Sequence, residues 1–311
     1  MKLGSTDISV SRLCFGTLTM GPLQKRMPEE EGALLLIAAA ENGVNFFDTA
    51  ELYGTYAHLA ILLRQYPESV VATKCFAYDE ITAEESYSKA AREMGRDHID
   101  IFMLHEQDSE HMLRGHQQAL EYFAKQKEKG HIGALGISTH SIAGVRAAIK
   151  HPDIEVVEAV INFKGFGIID GTLSQMEAAL AEAAGRGMGV IAMKALGGGH
   201  LMREREQAFK YIRKQDCIHS AAIGIQSLRE LRYAAACLSG REDELSAEDL
   251  PSLEGRRLII EEWCTGCSKC MDACRQGAMT IVNGKAVVDA EKCVLCGYCG
   301  ANCPGLYIKV I

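Results

Sequence analysis

The chain has 311 residues, 48% of them apolar and 24% charged, with a formal net charge of −8. This is the composition of an ordinary folded protein rather than a disordered one, and its negative balance disfavours a nucleic-acid partner. No apolar run approaches the ~20 residues that cross a bilayer, and the opening MKLGSTDISVSRL lacks the apolar segment of a secretory signal, so no membrane partner and a cytoplasmic location are expected.

In chain order, short apolar runs alternate with amphipathic stretches. SRLCFGT predicts a first strand, EGALLLIAAAENG a helix and VNFFDTA a second strand. The alternation continues through SVVATKC, ITAEESYSKAAREMG, IDIFMLH, RGHQQALEYFAKQKEKG and IGALGIS. It closes with VVEAVINF, TLSQMEAALAEAAGRG, GVIAMKAL, CIHSAAIGI and SLRELRYAAACLSG. Eight strands alternating with helices over about 230 residues is the count of a closed (β/α)8 TIM barrel, with an open doubly wound sheet as the alternative that periodicity leaves standing. The composition turns polar at REDELSAEDLPSLEGRR. Residues 1–240 are therefore expected to form the barrel, 241–256 a linker or short packing helix, and 257–311 a small α+β domain.

That last segment holds two cysteine runs, Cys264, Cys267, Cys270, Cys274 and Cys293, Cys296, Cys299, Cys303, the second repeating the first 29 positions later. In a reducing compartment such runs point to metal rather than disulfides. Each has the C-x2-C-x2-C-x3-C spacing of bacterial two-cluster ferredoxins, in which the fourth cysteine of a run ligates the other cluster. Three thiolates two residues apart wrap three iron corners, and the fourth corner needs a ligand from elsewhere. One 4Fe-4S cluster is thus assigned to Cys264, Cys267, Cys270 and Cys303, and a second to Cys274, Cys293, Cys296 and Cys299.

A pair of structural zinc sites is the competing reading, disfavoured because zinc sites use separated cysteine pairs. With eight corners ligated, no iron is left open for radical chemistry. Pro304 follows the second run as the pattern prefers, whereas Arg275 stands after the first and can raise a cluster's potential. Cys14, Cys75, Cys217 and Cys237 read as structural thiols. From Pro251 onward six acidic side chains meet seven basic ones. That balance is not the acidic surface of a freely diffusing ferredoxin, so docking against its own barrel is expected.

A parallel barrel builds its active site at the carboxyl ends of its strands. Those ends offer Asp48 and Tyr53 after the second strand, Lys74 at the end of the third and His105 at the end of the fourth. DTAELYG, TK and the strand-ending LH, with the amino-terminal KLGSTDISVSRLCFGT, resemble the aldo/keto reductase family over residues 1 to about 238. The whole chain is similar to the branch carrying a ferredoxin domain. The resemblance implies a nicotinamide-dependent carbonyl oxidoreductase with the tetrad Asp48, Tyr53, Lys74 and His105. Hydride delivered to a carbonyl leaves alkoxide character on oxygen, so a positioned acid must supply a proton. Tyr53 suits that role, with Lys74 stabilising its phenolate, Asp48 holding Lys74, and His105 bonding the substrate oxygen.

The same resemblance places the nicotinamide amide against Ser138, Thr139 and Asn162, with Gly16 and Thr17 on the first loop and Asp48 nearby. ALGGG offers backbone donors at Leu196 and Gly198 for a pyrophosphate. Gly224, Gln226, Ser227 and Glu230 lie at the adenine end. Three positions depart from the family pattern. Glu158 stands for the amide-binding glutamine, Met193 for the stacking tyrosine, and Glu230 for the arginine that binds a 2′-phosphate. NADP and NAD therefore both stay open, as does a flavin. Lys194, beside Met193, is suited to a phosphate or an acidic substrate, with a solvated lysine as the equal alternative. With little length for rim loops, a shallow pocket for a small-molecule carbonyl substrate is expected.

A hydride carries two electrons and an iron-sulfur cluster one, so direct exchange lacks a one-electron intermediate that a flavin would provide. Two functions follow. In one, the protein is a carbonyl oxidoreductase whose clusters serve a redox protein partner or brace the fold. In the other, it is an electron-transfer protein whose barrel binds flavin or docks a partner.

Overall fold

In the computed structural model, which describes residues 1–252 and 254–311, eight parallel strands pair in sequence until the eighth returns to the first. They are β1 (Leu13–Gly16), β2 (Phe46–Asp48), β3 (Val70–Cys75), β4 (Ile99–Leu104), β5 (Ile132–Thr139), β6 (Val156–Val160), β7 (Gly189–Met193) and β8 (Ser220–Gly224). Each overlaps one apolar run of the sequence, and the sheet closes into a TIM barrel rather than staying open. Nine helices surround it: α1 (Glu29–Glu41), α2 (Tyr56–Gln65), α3 (Glu80–Met94), α4 (Glu110–Gly115), α5 (Gln117–Glu128), α6 (Ile142–Lys150), α7 (Leu173–Gly185), α8 (Arg205–Arg213) and α9 (Leu228–Ser239). The extra one arises between β4 and β5, where Ser109 caps a short α4 and His116 separates it from α5. Asp79 with Thr82 and Thr172 with Gln175 form reciprocal capping boxes at the starts of α3 and α7.

Alternation along the strands splits the core in two. Cys14, Phe46, Ala72, Ile101, Met103 and Val156 fill the barrel interior, while their neighbours Phe15, Phe47, Val71, Phe102 and Val157 face the helices. The amino end of the barrel is plugged. A bridge between Lys2 and Ser9 folds the first residues under it, and Leu3 is fully buried there, a burial worth ~1.5–3 kcal/mol. Only the carboxyl end remains for a site. Cys14, Cys75 and Cys237 are buried and Cys217 is half-buried. No helix among the described residues is long and apolar enough to cross a membrane.

The tail is a small α+β unit of β9 (Leu258–Ile260), α10 (Lys269–Ala273), β10 (Met279–Val282), β11 (Lys285–Val288), α11 (Tyr298–Ala301) and β12 (Ile308–Val310). β9 pairs antiparallel with β12, and β10 with β11. Between barrel and tail, two short 3-10 turns at Glu242–Glu244 and Ala247–Asp249 take the place of a linker helix. Glu242 pairs there with Arg213.

The tail sits on the open end of the barrel. The loop after β7 meets β12, and Gly199 lies so close to the Val310 carbonyl that a side chain has no room. His200 donates from Nε2 to the Ile308 carbonyl at 2.7 Å. Its ring packs against Gly300, where a Cβ would fall on the imidazole. Glu230 of α9 pairs with Arg256, and both are largely buried.

Candidate active site and cysteine cavities

Asp48 ends β2 in register with Ala72 of β3, which puts Lys74 two residues further along the same inward face. The Lys74 ammonium bonds the Asp48 carboxylate and lies 2.9 Å from Oε2 of Glu158, which reaches it from β6. All three side chains are buried. Burial works to lower the Lys74 pKa, but the two carboxylates prevail and hold it well above its usual value. Asp48 is pushed up to about 7 by burial and then by the Glu158 charge, against the pull of Lys74. One cation thus serves two anions in a dry interior.

Tyr53 follows β2 in a 3-10 turn, Glu51–Tyr53. Its ring lies 5.4 Å from the Lys74 ammonium and stands edge-on to the His105 imidazole at 5.8 Å. Burial raises the phenol well above its ordinary pKa, more than Lys74 draws it down. His105 stacks on Phe76 at 4.6 Å, and its Nδ1 is buried without a partner among the described residues. Burial, then the charges of Lys74 and Lys194, drives its pKa well below the usual value, so the ring is neutral at neutral pH.

From Asp48 and Tyr53 a cleft of about 140 Å³ runs to Glu230 and Arg256. One of its walls comes from the tail, through Arg256, Lys309 and Val310. Of the residues anticipated to bind cofactor, Gly16, Asp48, Met193, Lys194, Leu196 and Gly198 line the cleft, as do Gly224, Gln226 and Glu230.

Thr17, Ser138, Thr139, Asn162 and Ser227 stand outside this lining, and their polar groups make hydrogen bonds within the protein. The Thr17 hydroxyl bonds Thr55 at 2.8 Å. Ser138 accepts the Glu106 N–H at 2.9 Å, and Thr139 donates to Asp108 at 3.0 Å. Asn162 donates to the carbonyls of Phe166 and Lys194 and accepts the Phe166 N–H. Ser227 caps α9 by accepting the Glu230 N–H at 3.2 Å.

The sequence reading gave Glu158 a cofactor position and missed its ion pair with Lys74. The signal was there, since an acid inside the apolar strand VVEAV must find a cation. It also missed Lys309, which breaks the apolar strand LYIKVI and pairs with Glu261. At the adenine end, the Glu230 carboxylate accepts the Gln226 N–H at 2.9 Å besides bonding Arg256.

In the tail, Cys264, Cys267, Cys270 and Cys303 line one cavity, and Cys274, Cys293, Cys296 and Cys299 line another. Backbone N–H groups point at three of these sulfurs: Ala278 at Cys274, Ala286 at Cys264 and Tyr307 at Cys303. The thiols surround a space instead of converging on a point. Among the described residues no three His, Cys, Asp or Glu side chains gather as ligands of a single ion.

Comparison with known proteins agrees with this division. The model of the aldo/keto reductase family matches residues 12–246, and that of a 4Fe-4S dicluster domain matches residues 257–304. L-galactose dehydrogenase of Arabidopsis thaliana is 25% identical over 215 residues, 65% of this chain and 66% of that protein. The chain therefore spans just under two thirds of that relative's length. A component of an ion-translocating oxidoreductase complex of Methanosarcina acetivorans is 42% identical over 54 residues, 17% of this chain and 20% of that component. Among solved structures, an aldo-keto reductase from Bacillus halodurans in its holo form superposes with a TM-score of 0.64 at 19% identity, covering 78% of this chain and 93% of that one. At that identity the likeness is one of fold.

Proposed function

We propose, from the premise that the chain belongs to the aldo/keto reductase family and carries a 4Fe-4S dicluster domain behind its barrel, that this oxidoreductase interconverts a carbonyl and its alcohol with NADPH or NADH. The observation that carries the reading is a phenol at the end of a cleft that runs on to Glu230 and Arg256, with a neutral imidazole edge-on to it and a buried ammonium behind. A nicotinamide held in the cleft against Met193 and Lys194 would supply hydride to the carbonyl carbon. Tyr53, kept protonated by its burial, gives its proton to the carbonyl oxygen as charge develops there. Lys74 stabilises the phenolate left behind, and Asp48 and Glu158 keep Lys74 charged. His105 offers a ring N–H to the same oxygen. Met193 provides a polarisable surface for the flat ring. In Tyr53→Phe, carbonyl reduction should fall by ~10²–10⁴ while dinucleotide binding persists; unchanged turnover would sink the assignment.

The two cysteine sets suit two 4Fe-4S clusters. Four thiols surround each cavity, and N–H groups aimed at Cys264, Cys274 and Cys303 favour the reduced state of a bound cluster. About eight irons per chain are expected after anaerobic purification. Such clusters supply single electrons and would serve a redox partner or brace the tail.

One observation favours the second reading, an electron-transfer role with flavin in the barrel. The tail segment 307–310 borders both centres, since Tyr307 donates to the Cys303 sulfur at 3.3 Å while Lys309 and Val310 wall the cleft. A flavin there would pass paired electrons on singly. Extraction of bound flavin, followed by NADPH and NADH titration of cluster absorbance, separates the readings. Bleaching without flavin would contradict the electron accounting.

A further inference from the structure

Lys194 is a charged group at the tetrad end of the cleft, and neither the tetrad nor an ion pair among the described residues uses it. It follows β7 with a φ of +58°, a left-handed conformation that is strained for a residue with a side chain. Neighbours hold it there. Its carbonyl accepts from the Gly197 N–H at 2.7 Å and from the Asn162 amide at 3.3 Å. The side chain shares the cleft wall with Asp48, Tyr53 and Glu158, yet its ammonium makes no ion pair among the described residues.

Its charge bears on both sides of the active-site mouth. Asp48, His105 and Glu106 all respond to it, as does His140 on the loop after β5. The second cation nearby is Lys309 of the tail, but Glu261 already takes its charge. Burial, then repulsion by Lys309, drives the Lys194 pKa down to about 7, against the opposing pull of Glu106, Glu261 and Glu158. An ammonium without an ion pair, held in a left-handed turn on the wall that Tyr53 also lines, is placed to take the charge of an incoming anion.

We propose that Lys194 is the anchor for a carboxylate on the substrate, so that the carbonyl compound taken by this site is a short oxo-carboxylate enclosed between barrel and tail. This rests on the carbonyl-oxidoreductase reading above. The charges around Lys194 favour a monoanion there. Lys309 is paired with Glu261, Arg205 stands over Tyr233, and Glu106, Glu158 and Glu261 would repel the second charge of a phosphate. The tail thereby acts on selectivity, because Lys309 and β12 wall the cleft in which the carboxylate must sit.

The test uses the intact, cluster-loaded protein and oxamate, a non-reducible analogue of pyruvate. Calorimetry at pH 8 in two buffers of different ionisation enthalpy should show oxamate binding with uptake of a proton, since Lys194 gains charge when the anion arrives. Lys194→Met should weaken oxamate at least tenfold and Lys194→Arg should retain it. In turnover, the preference for pyruvate over methyl pyruvate should collapse in Lys194→Met and survive in Lys194→Arg.

Oxamate binding equally well to Lys194→Met would overturn the proposal. So would a loss confined to NADPH or NADH affinity, which would hand Lys194 to a cofactor phosphate. Binding without proton uptake in the unaltered protein would also count against it, independently of how the variants fold. If oxamate binds through Lys194 but neither pyruvate nor its ester turns over, the anion site stands and the carbonyl reading falls.

Discussion

The buried triad in the barrel and the cysteine cavities in the tail are assembled in opposite ways. Asp48, Lys74 and Glu158 come from three different strands and meet only when the barrel closes. Each cysteine cavity takes three of its four thiols from one seven-residue run, Cys264–Cys270 or Cys293–Cys299, and only the fourth crosses over. In the barrel, reactivity is a balance of long-range charge in a dry frame, where removing one partner leaves another unpaired. In the tail it is set by local spacing, with a single long-range tie on each side. The barrel site should therefore respond to substitution by shifting its pH behaviour, and the tail by losing a whole metal group.

The largest expected effect tests the crossing. Cys303→Ser should lower the iron content from about eight to about four per chain, and the cluster lost should be that of the first run. Cys274→Ser should remove the other. Iron analysis with electron paramagnetic resonance distinguishes them, and loss of the second run's cluster on changing Cys303 would break the pairing.

Next comes the joint between the two regions. Gly300→Ala drives a methyl into His200, and such overpacking costs ~1–3 kcal/mol. Thermal unfolding should show the tail loosening ahead of the barrel.

The smallest effect sharpens the electrostatic side. Asp48 titrates near 7 because of burial first and Glu158 second. A carboxyl raised in the folded state contributes stability that is present at low pH and lost as pH rises through about 7. In Glu158→Gln the Asp48 pKa should fall, and the stability lost across this range should shrink by about 1.4 kcal/mol for each tenfold drop in the proton affinity of Asp48. Melting temperature measured from pH 4 to 8 in both proteins gives the answer, and an unchanged slope would remove Glu158 from the balance.

Much of the molecule was legible in its sequence because the governing signals are local. Eight apolar runs became eight strands, and the residues at the ends of β2, β3 and β4 came to one rim. Cysteine spacing anticipated which thiols share a cavity. What stayed hidden depends on contacts between distant segments. That Glu158 needs a cation follows from its place in an apolar strand, but nothing near it in sequence names Lys74 as that cation. The hydrogen bonds that Ser138, Thr139 and Asn162 make to the loops after β4 and β6 were hidden for the same reason. The outer wall of the cleft could not be read from the barrel, because Lys309 and Val310 belong to a segment more than a hundred residues beyond Met193.

The contact of His200 with Gly300 bears on how such a protein can change over generations. The tail is not a portable module clipped to a generic barrel. An imidazole from one unit fills a notch in the other, so a different ferredoxin-like unit with any side chain at that notch would be refused unless the barrel loop changed too. The two halves are expected to vary together, with positions 200 and 300 co-varying across relatives, and to be inherited as a pair.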